Sequence, residues 1–280
     1  MSLVNFKDFY FRYKGNKDYT LKNINLNITE SKFILLAGET GSGKTSLIRC
    51  MNGLIPQFYS GYYKGKVIIN EKETNITSIA DLSTEVGIVF QNPENQLIAM
   101  NVEHEIAFGM ENLGFPRDVI KEKITEVIKL TEIENIIEKA PFEISGGEQQ
   151  RVAIASILVL DPKIIILDEP TANLDPLFAQ KILLLLKKIQ EEKDITIIIS
   201  EHRLDLVLPL VDEIILIKNG QIIEHDEKNK VINGNYFKEL PINKPKIFSF
   251  FSQLEKNQLY KGNIPITVLD AVKILNELMQ

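Results

Sequence analysis

The chain has 280 residues, 44% hydrophobic and 25% charged, enough to bury a full core in one or two domains without disulfide staples. With 32 Lys and Arg against 38 Asp and Glu, its net charge of −6 argues against a surface built mainly to grip nucleic-acid phosphates, although a local basic patch stays open. A single cysteine, Cys50, excludes an intramolecular disulfide and a cysteine metal cage, and points to a reducing compartment, most simply cytoplasm.

Met1 to Asp8 shows no basic stretch followed by an apolar one, so no secretory leader is expected. Phe9, Phe11 and Tyr13 then share one parity, and so do Ile24, Leu26 and Ile28. A period of two predicts half-exposed strands of an antiparallel sheet. Phe33–Ala37, Ile164–Leu167, Ile195–Ile199 and Ile214–Ile217 are apolar at consecutive positions, which suits parallel strands covered on both faces. None approaches the ~18 residues that span a bilayer. Any membrane task would be carried out from the side, against a membrane partner.

Residues 92 to 160 contain no strong strand, and Ile124, Val127, Ile128 and Leu130 stand among charges between Val119 and Ile137. This segment reads as a helical insertion. Asp175, Pro176 and the run from Leu177 to Lys193 read as N-cap, first-turn proline and a long helix. The alternation predicts an α/β core with a mostly parallel sheet, preceded by an antiparallel β-subdomain. Asn219-Gly220 between two apolar runs predicts a hairpin. Pro241 and Pro245 mark a linker that divides a larger unit, 1–240, from an extension, 241–280. In that extension Thr267-Val268-Leu269-Asp270 resembles a capping pattern, and Val268, Ala271, Val272, Leu275 and Leu278 follow at helical spacing. The helix either packs on its own domain or serves dimerisation or docking.

Gly38-Glu39-Thr40-Gly41-Ser42-Gly43-Lys44-Thr45 fits G-x-x-x-x-G-K-[ST], with a buried strand before it and a helical run from Thr45 to Leu54 after it. Glycines let successive N–H groups turn inward around phosphates, and the helix N-terminus adds its positive end. Lys44 would reach the β- and γ-phosphates and the Thr45 hydroxyl would bind Mg²⁺; Ser46 completes the nucleotide-binding run. Ile164 to Leu167 ends in Asp168 and Glu169, at the strand end where open α/β sheets bind ligands. Asp168 would hold Mg²⁺ through water, and Glu169 would polarise the attacking water. Ser145-Gly146-Gly147 can open a helix whose N–H groups face a second phosphate.

Ile144-Ser145-Gly146-Gly147-Glu148 resembles the ATP-binding-cassette signature Leu-Ser-Gly-Gly-Gln, with Ile for Leu and Glu for Gln. The resemblance covers residues 2 to 235 and places further positions. Gln91 matches the glutamine that senses Mg²⁺ and links core to insertion. Asp175 matches the loop that crosses to the partner, although it also suits a helix cap. His202 matches the histidine that contacts the γ-phosphate. Tyr13, 25 residues before Gly38, matches the aromatic that stacks on adenine, with core packing beside Phe11 as the alternative. A finer similarity, to the ATPases of energy-coupling-factor importers of vitamins and transition-metal ions, rests on Phe90 to Leu97, Val102 to Gly109, Glu111 to Gly114, Glu201 to Leu204, Pro245 to Phe248 and Ile264 to Ala271.

The resemblance implies that ATP and Mg²⁺ bind between two head-to-tail subunits, Ser145, Gly146, Gly147 and Glu148 acting in trans. It implies as partners a second ATPase subunit, identical or not, a membrane-embedded coupling protein and a substrate-binding membrane component, with no nucleic acid. The place would be the cytoplasmic face of the membrane. Another transporter's ATPase or a non-transport cassette ATPase is the alternative. The 100 residues from Thr45 to Ser145 hold no sustained heptads, which separates the chain from the coiled-coil repair ATPases. A small-molecule kinase would leave Ser145–Glu148 and His202 unexplained.

Overall fold

Hydropathy sorts the chain into two sheets, seen in the computed structural model, which describes residues 2–278. β1 (Ser2–Tyr13) and β2 (Leu21–Thr29) pair antiparallel. Val4 and Phe6 have even numbers and Phe9 and Phe11 odd ones, yet all four are buried. A register shift between Phe6 and Phe9, where Asp8 takes φ 45°, moves the parity by one and keeps all four inside. β3 (Phe33–Ala37) is buried along its whole length and leads into α1 (Lys44–Met51). The expected run to Leu54 breaks because Gly53 adopts φ 78°, after which α2 (Leu54–Gln57) begins. β4 (Gly61–Ile69) and β5 (Lys72–Glu73) complete the first sheet in the order β2-β1-β4-β5.

α3 (Ile79–Ser83) and β6 (Val86–Val89) precede the helical insertion of α4 (Val102–Asn112), α5 (Arg117–Thr131) and α6 (Gly146–Leu158). α5 carries the apolar residues noted between Val119 and Ile137 and ends at Thr131, where Glu132 turns left-handed at φ 57°. β7 (Ile164–Asp168), α7 (Pro176–Lys193), β8 (Thr196–Ser200), α8 (Leu204–Val207) and the hairpin β9 (Glu213–Lys218) and β10 (Gln221–Glu227) finish the core. Asn219 and Gly220 both have positive φ, 50° and 78°, as the hairpin requires. The second sheet runs β10-β9-β3-β8-β7-β6, parallel throughout except for β10.

Alternate residues of this sheet feed two cores. Ile34, Leu36, Ile166 and Ile198 face the first sheet and α1. Phe33, Leu35, Ile165 and Leu167 face the helical layer. The carboxyl ends of β3, β7 and β8 therefore open together at one rim, between the turn before α1 and the insertion.

α9 (Lys228–Asn233) and α10 (Asn235–Glu239) lead to α11 (Lys246–Lys256) and α12 (Val268–Leu278). Phe248, Phe251, Ile264 and Ala271 are buried in the helical-layer core, with the Phe248 ring edge-on to Phe237 at 5.2 Å. Thr267 Oγ1 accepts from Asp270 N at 3.2 Å, the capping contact expected there. Val268 and Leu269 on the same helix are exposed. Among the described residues, no helix is long and apolar enough to cross a membrane.

Candidate nucleotide site

The turn from Gly38 to Gly43 can be made only by residues without a Cβ at its tightest points. A Cβ on Gly38 would stand 2.3 Å from the Ile217 carbonyl oxygen, and Gly43 takes φ 109°. Lys44 Nζ donates to the carbonyls of Gly38 at 2.8 Å and Glu39 at 3.1 Å. Burial pushes the Lys44 ammonium below its ordinary pKa, against the pull of Glu169 and Asp168. A cavity of about 220 Å³ is lined by Thr20, Thr40, Gly41, Gly43, Lys44, Thr45, Ser46 and Glu169. Thr20 and Gly41 also line a neighbouring cavity of about 670 Å³, with Lys17, Tyr19, Asn219 and Gly220.

Three strand ends, those of β6, β7 and β8, deliver the remaining groups. Asp168 ends β7, is buried, and accepts from Thr45 Oγ1 at 2.8 Å. A hydroxyl beside one carboxylate suits Mg²⁺, which takes few protein oxygens and completes its shell with water and phosphate. Glu169 is held in the left-handed region at φ 53°, a strain that recurs at functional sites, and its N–H donates to the Ser200 carbonyl at 2.9 Å. Its carboxylate accepts from Gln91 Nε2 at 2.9 Å and lies 3.0 Å from His202 Nε2. The tautomer with its proton on Nε2 would let His202 donate to that carboxylate. Gln91, Glu169 and His202 thus meet beside the Lys44 turn, although they lie far apart in sequence.

Other expected residues stand elsewhere. Tyr13 lines neither cavity; its hydroxyl is 3.0 Å from Ser46 Oγ and accepts from Arg49 Nη1 at 3.3 Å. Its ring packs edge-on to Phe11 at 4.8 Å. Asp175 caps α7, accepting from the Leu177 and Phe178 N–H groups at 2.9 and 3.1 Å. Ser145 to Glu148 line neither cavity. Ser145 is the N-cap of α6, and Glu148 reaches back to accept from Ser145 N at 2.8 Å and Oγ at 2.7 Å. Glu in place of Gln therefore builds a reciprocal capping box, and these bonds hold the Glu148 pKa below the ordinary carboxylate value. The Ser145-x-x-Glu148 spacing carried that signal.

Three polar residues escaped assignment from sequence. Buried Glu105 accepts from Ile98 and Ala99 N–H at 2.8 and 2.7 Å, stapling the loop after Gln91 to α4. Gln96 donates to the Ile88 carbonyl at 3.2 Å and accepts from Phe90 N at 2.8 Å, extending β6 sideways. Buried Glu201 bonds three donors around His202. The local sequence gives no warning of such use; only the folded contacts show it.

The sequence pattern of the family described as ABC transporter matches residues 21–172. The chain belongs to the ABC transporter family. A protein of Pyrococcus horikoshii, by its name an ABC transporter ATP-binding protein, is 38% identical over 98% of this chain and 97% of its own length. A Caldanaerobacter subterraneus relative is 38% identical over 97% of this ABC chain but only 48% of its own, so that relative is about twice as long. Among solved structures, cbiO1 from Clostridium perfringens, part of the ABC transporter complex cbiONQ, is 31% identical with a TM-score of 0.76, over 90% of this chain and 99% of its own. The ABC cassette MJ0796, solved as a dimer in a post-hydrolysis state with ADP and Pi, is 29% identical with a TM-score of 0.69, over 80% and 98%. This ABC transporter ATP-binding protein is an ATPase.

Proposed function

We propose that the chain is the ATPase of an energy-coupling-factor importer of vitamins or transition-metal ions, working by ATP-driven closure of a dimer at the cytoplasmic face of the membrane. The observation that carries the hydrolytic part is the Glu169 carboxylate, held by Gln91 and His202 beside the Lys44 turn. The importer class is supported by the likeness to cbiO1 over 90% of the chain and by the motifs from Phe90 to Gly114.

ATP binding replaces the carbonyls that now hold Lys44 with β- and γ-phosphate oxygens. The N–H groups of Gly41 to Thr45 and the start of α1 face the phosphates. Thr45, Asp168 and Gln91 would hold Mg²⁺, whose contribution is to neutralise phosphate charge. Glu169 accepts a proton from the attacking water, and His202 steadies the γ-phosphate. Such a reaction needs mainly positioning and charge stabilisation. Tyr13, beside Ser46, is the stacking candidate for adenine. Ser145, Gly146, Gly147 and Glu148 complete the partner's site, and Asp175 lies on the loop between the two. The segment from Gln91 to Gly109 carries the closure to a membrane-embedded coupling protein, whose substrate-binding component chooses the cargo.

The test is Glu169→Gln with and without Mg-ATP. The variant should keep ATP binding, lose most turnover and sediment as an ATP-dependent dimer. Wild-type turnover in that variant would remove Glu169 from its role. The importer class is tested by co-purification from a membrane extract and mass spectrometry of what is retained. Small multi-span proteins with a vitamin- or metal-binding component support it, and components of an exporter overturn it.

A further inference from the structure

Glu201 is buried, with 4% of its surface exposed, and among the described residues no basic group stands within ion-pair distance of it. An unpaired carboxylate in that position is costly unless hydrogen bonds satisfy it. Three do. Oε2 accepts from the buried Thr171 hydroxyl at 2.5 Å, and Oε1 accepts from the N–H groups of His202 at 2.7 Å and Arg203 at 3.0 Å. Thr171 lies two residues beyond Glu169, on the loop that follows β7. The two segments joined by this carboxylate are thus the ones carrying Glu169 and His202. A second tie runs alongside, from Arg203 Nη2 to the Leu174 carbonyl at 2.7 Å. The circuit closes through the 3.0 Å contact of His202 Nε2 with Glu169 Oε1.

We propose that Glu201 is a positioning residue for hydrolysis: its carboxylate fixes the main chain of His202 against the Thr171–Leu174 loop, so that the imidazole meets Glu169 and the γ-phosphate. This rests on the reading that Glu169 and His202 act on ATP. Lysine or arginine could not make these bonds, and an apolar residue would leave the buried Thr171 hydroxyl and two part-buried N–H groups without this acceptor. Glutamine keeps one oxygen for the two N–H groups and an amide that the Thr171 hydroxyl can accept from.

The full chain contains three histidines, His104, His202 and His225, so ¹⁵N-edited NMR of the imidazoles resolves His202, assigned with His202→Gln. In Glu201→Ala the His202 signals should move while those of His104 and His225 stay. kcat for ATP should fall by at least about tenfold with KM within about twofold, as expected for a misplaced group that binds little ground-state energy. Glu201→Gln should return both readouts most of the way, and Thr171→Val should move them part of the way. Unmoved His202 signals in Glu201→Ala overturn the proposal whatever happens to turnover. Equal movement of all three histidines together with a lower Tm overturns it too, because Glu201 then merely supports the fold. A wild-type chain that neither binds nor hydrolyses ATP sinks the reading of Glu169 and His202, while the NMR comparison still decides the role of Glu201.

Discussion

Lys44 shows how much of a turn one side chain can brace. Its ammonium donates to the carbonyls of Gly38 and Glu39 and so ties the turn to the first residue of α1. Lys44→Ala should therefore cut both turnover and nucleotide affinity, measured by ATPase assay and by titration with a fluorescent ATP analogue. Unchanged values would remove the phosphate role. Glu148 makes a different contribution, local to its own helix. Glu148→Ala should lower stability by about 1 kcal/mol in urea unfolding, the usual worth of a helix cap, whereas Glu148→Gln, which keeps an acceptor but loses the charge, should cost less than that. The folded-state pKa of Glu148 is depressed, so its contribution exists above the unfolded-state pKa and is lost as pH falls through the folded one. The gap between wild type and Glu148→Ala should accordingly be full at pH 7 and shrink below about pH 4. A gap that persists at lower pH would show that the box does not depend on the ionised carboxylate.

At the scale of elements, the four consecutive apolar runs predicted β3, β7, β8 and β9, because strands covered on both faces have no other way to be written. The long helix α7 was equally legible from Asp175-Pro176. β4 was not. Its first half, from Gly61 to Lys64, is largely exposed, and only Val67 and Ile69 are buried, so its pattern is too faint for periodicity alone. The motif residues were legible, but the meeting of Gln91, Glu169 and His202 needs three separate strand ends at one rim, which spacing does not encode. Glu105 was invisible for the same reason: nothing local says that its carboxylate is turned inward. Glu105→Ala leaves the Ile98 and Ala99 N–H groups without their acceptor. A loss of about 1–3 kcal/mol is expected, with faster amide exchange confined to the loop around residues 96 to 100. Exchange that rises evenly across α4 instead would mean the staple holds the helix, not the loop.

At the scale of the whole molecule, the extension shares a core with the sheet it follows. Phe248, Phe251 and Ile264 each bury a side chain worth about 1.5–3 kcal/mol against the helical layer, before the cost of ordering the tail. A chain ending at Leu240 should therefore melt on the order of 5 °C lower, by calorimetry without nucleotide. An unchanged Tm would make the extension a separate appendage. β6 ends the large sheet in the strand order, and the Gln96 amide occupies its outer side as a neighbouring strand's peptide group would. That borrowed peptide bond denies the open margin to another chain. Gln96→Leu should consequently betray itself less in turnover than in the test tube, as concentration-dependent β-rich clumping when the protein is warmed.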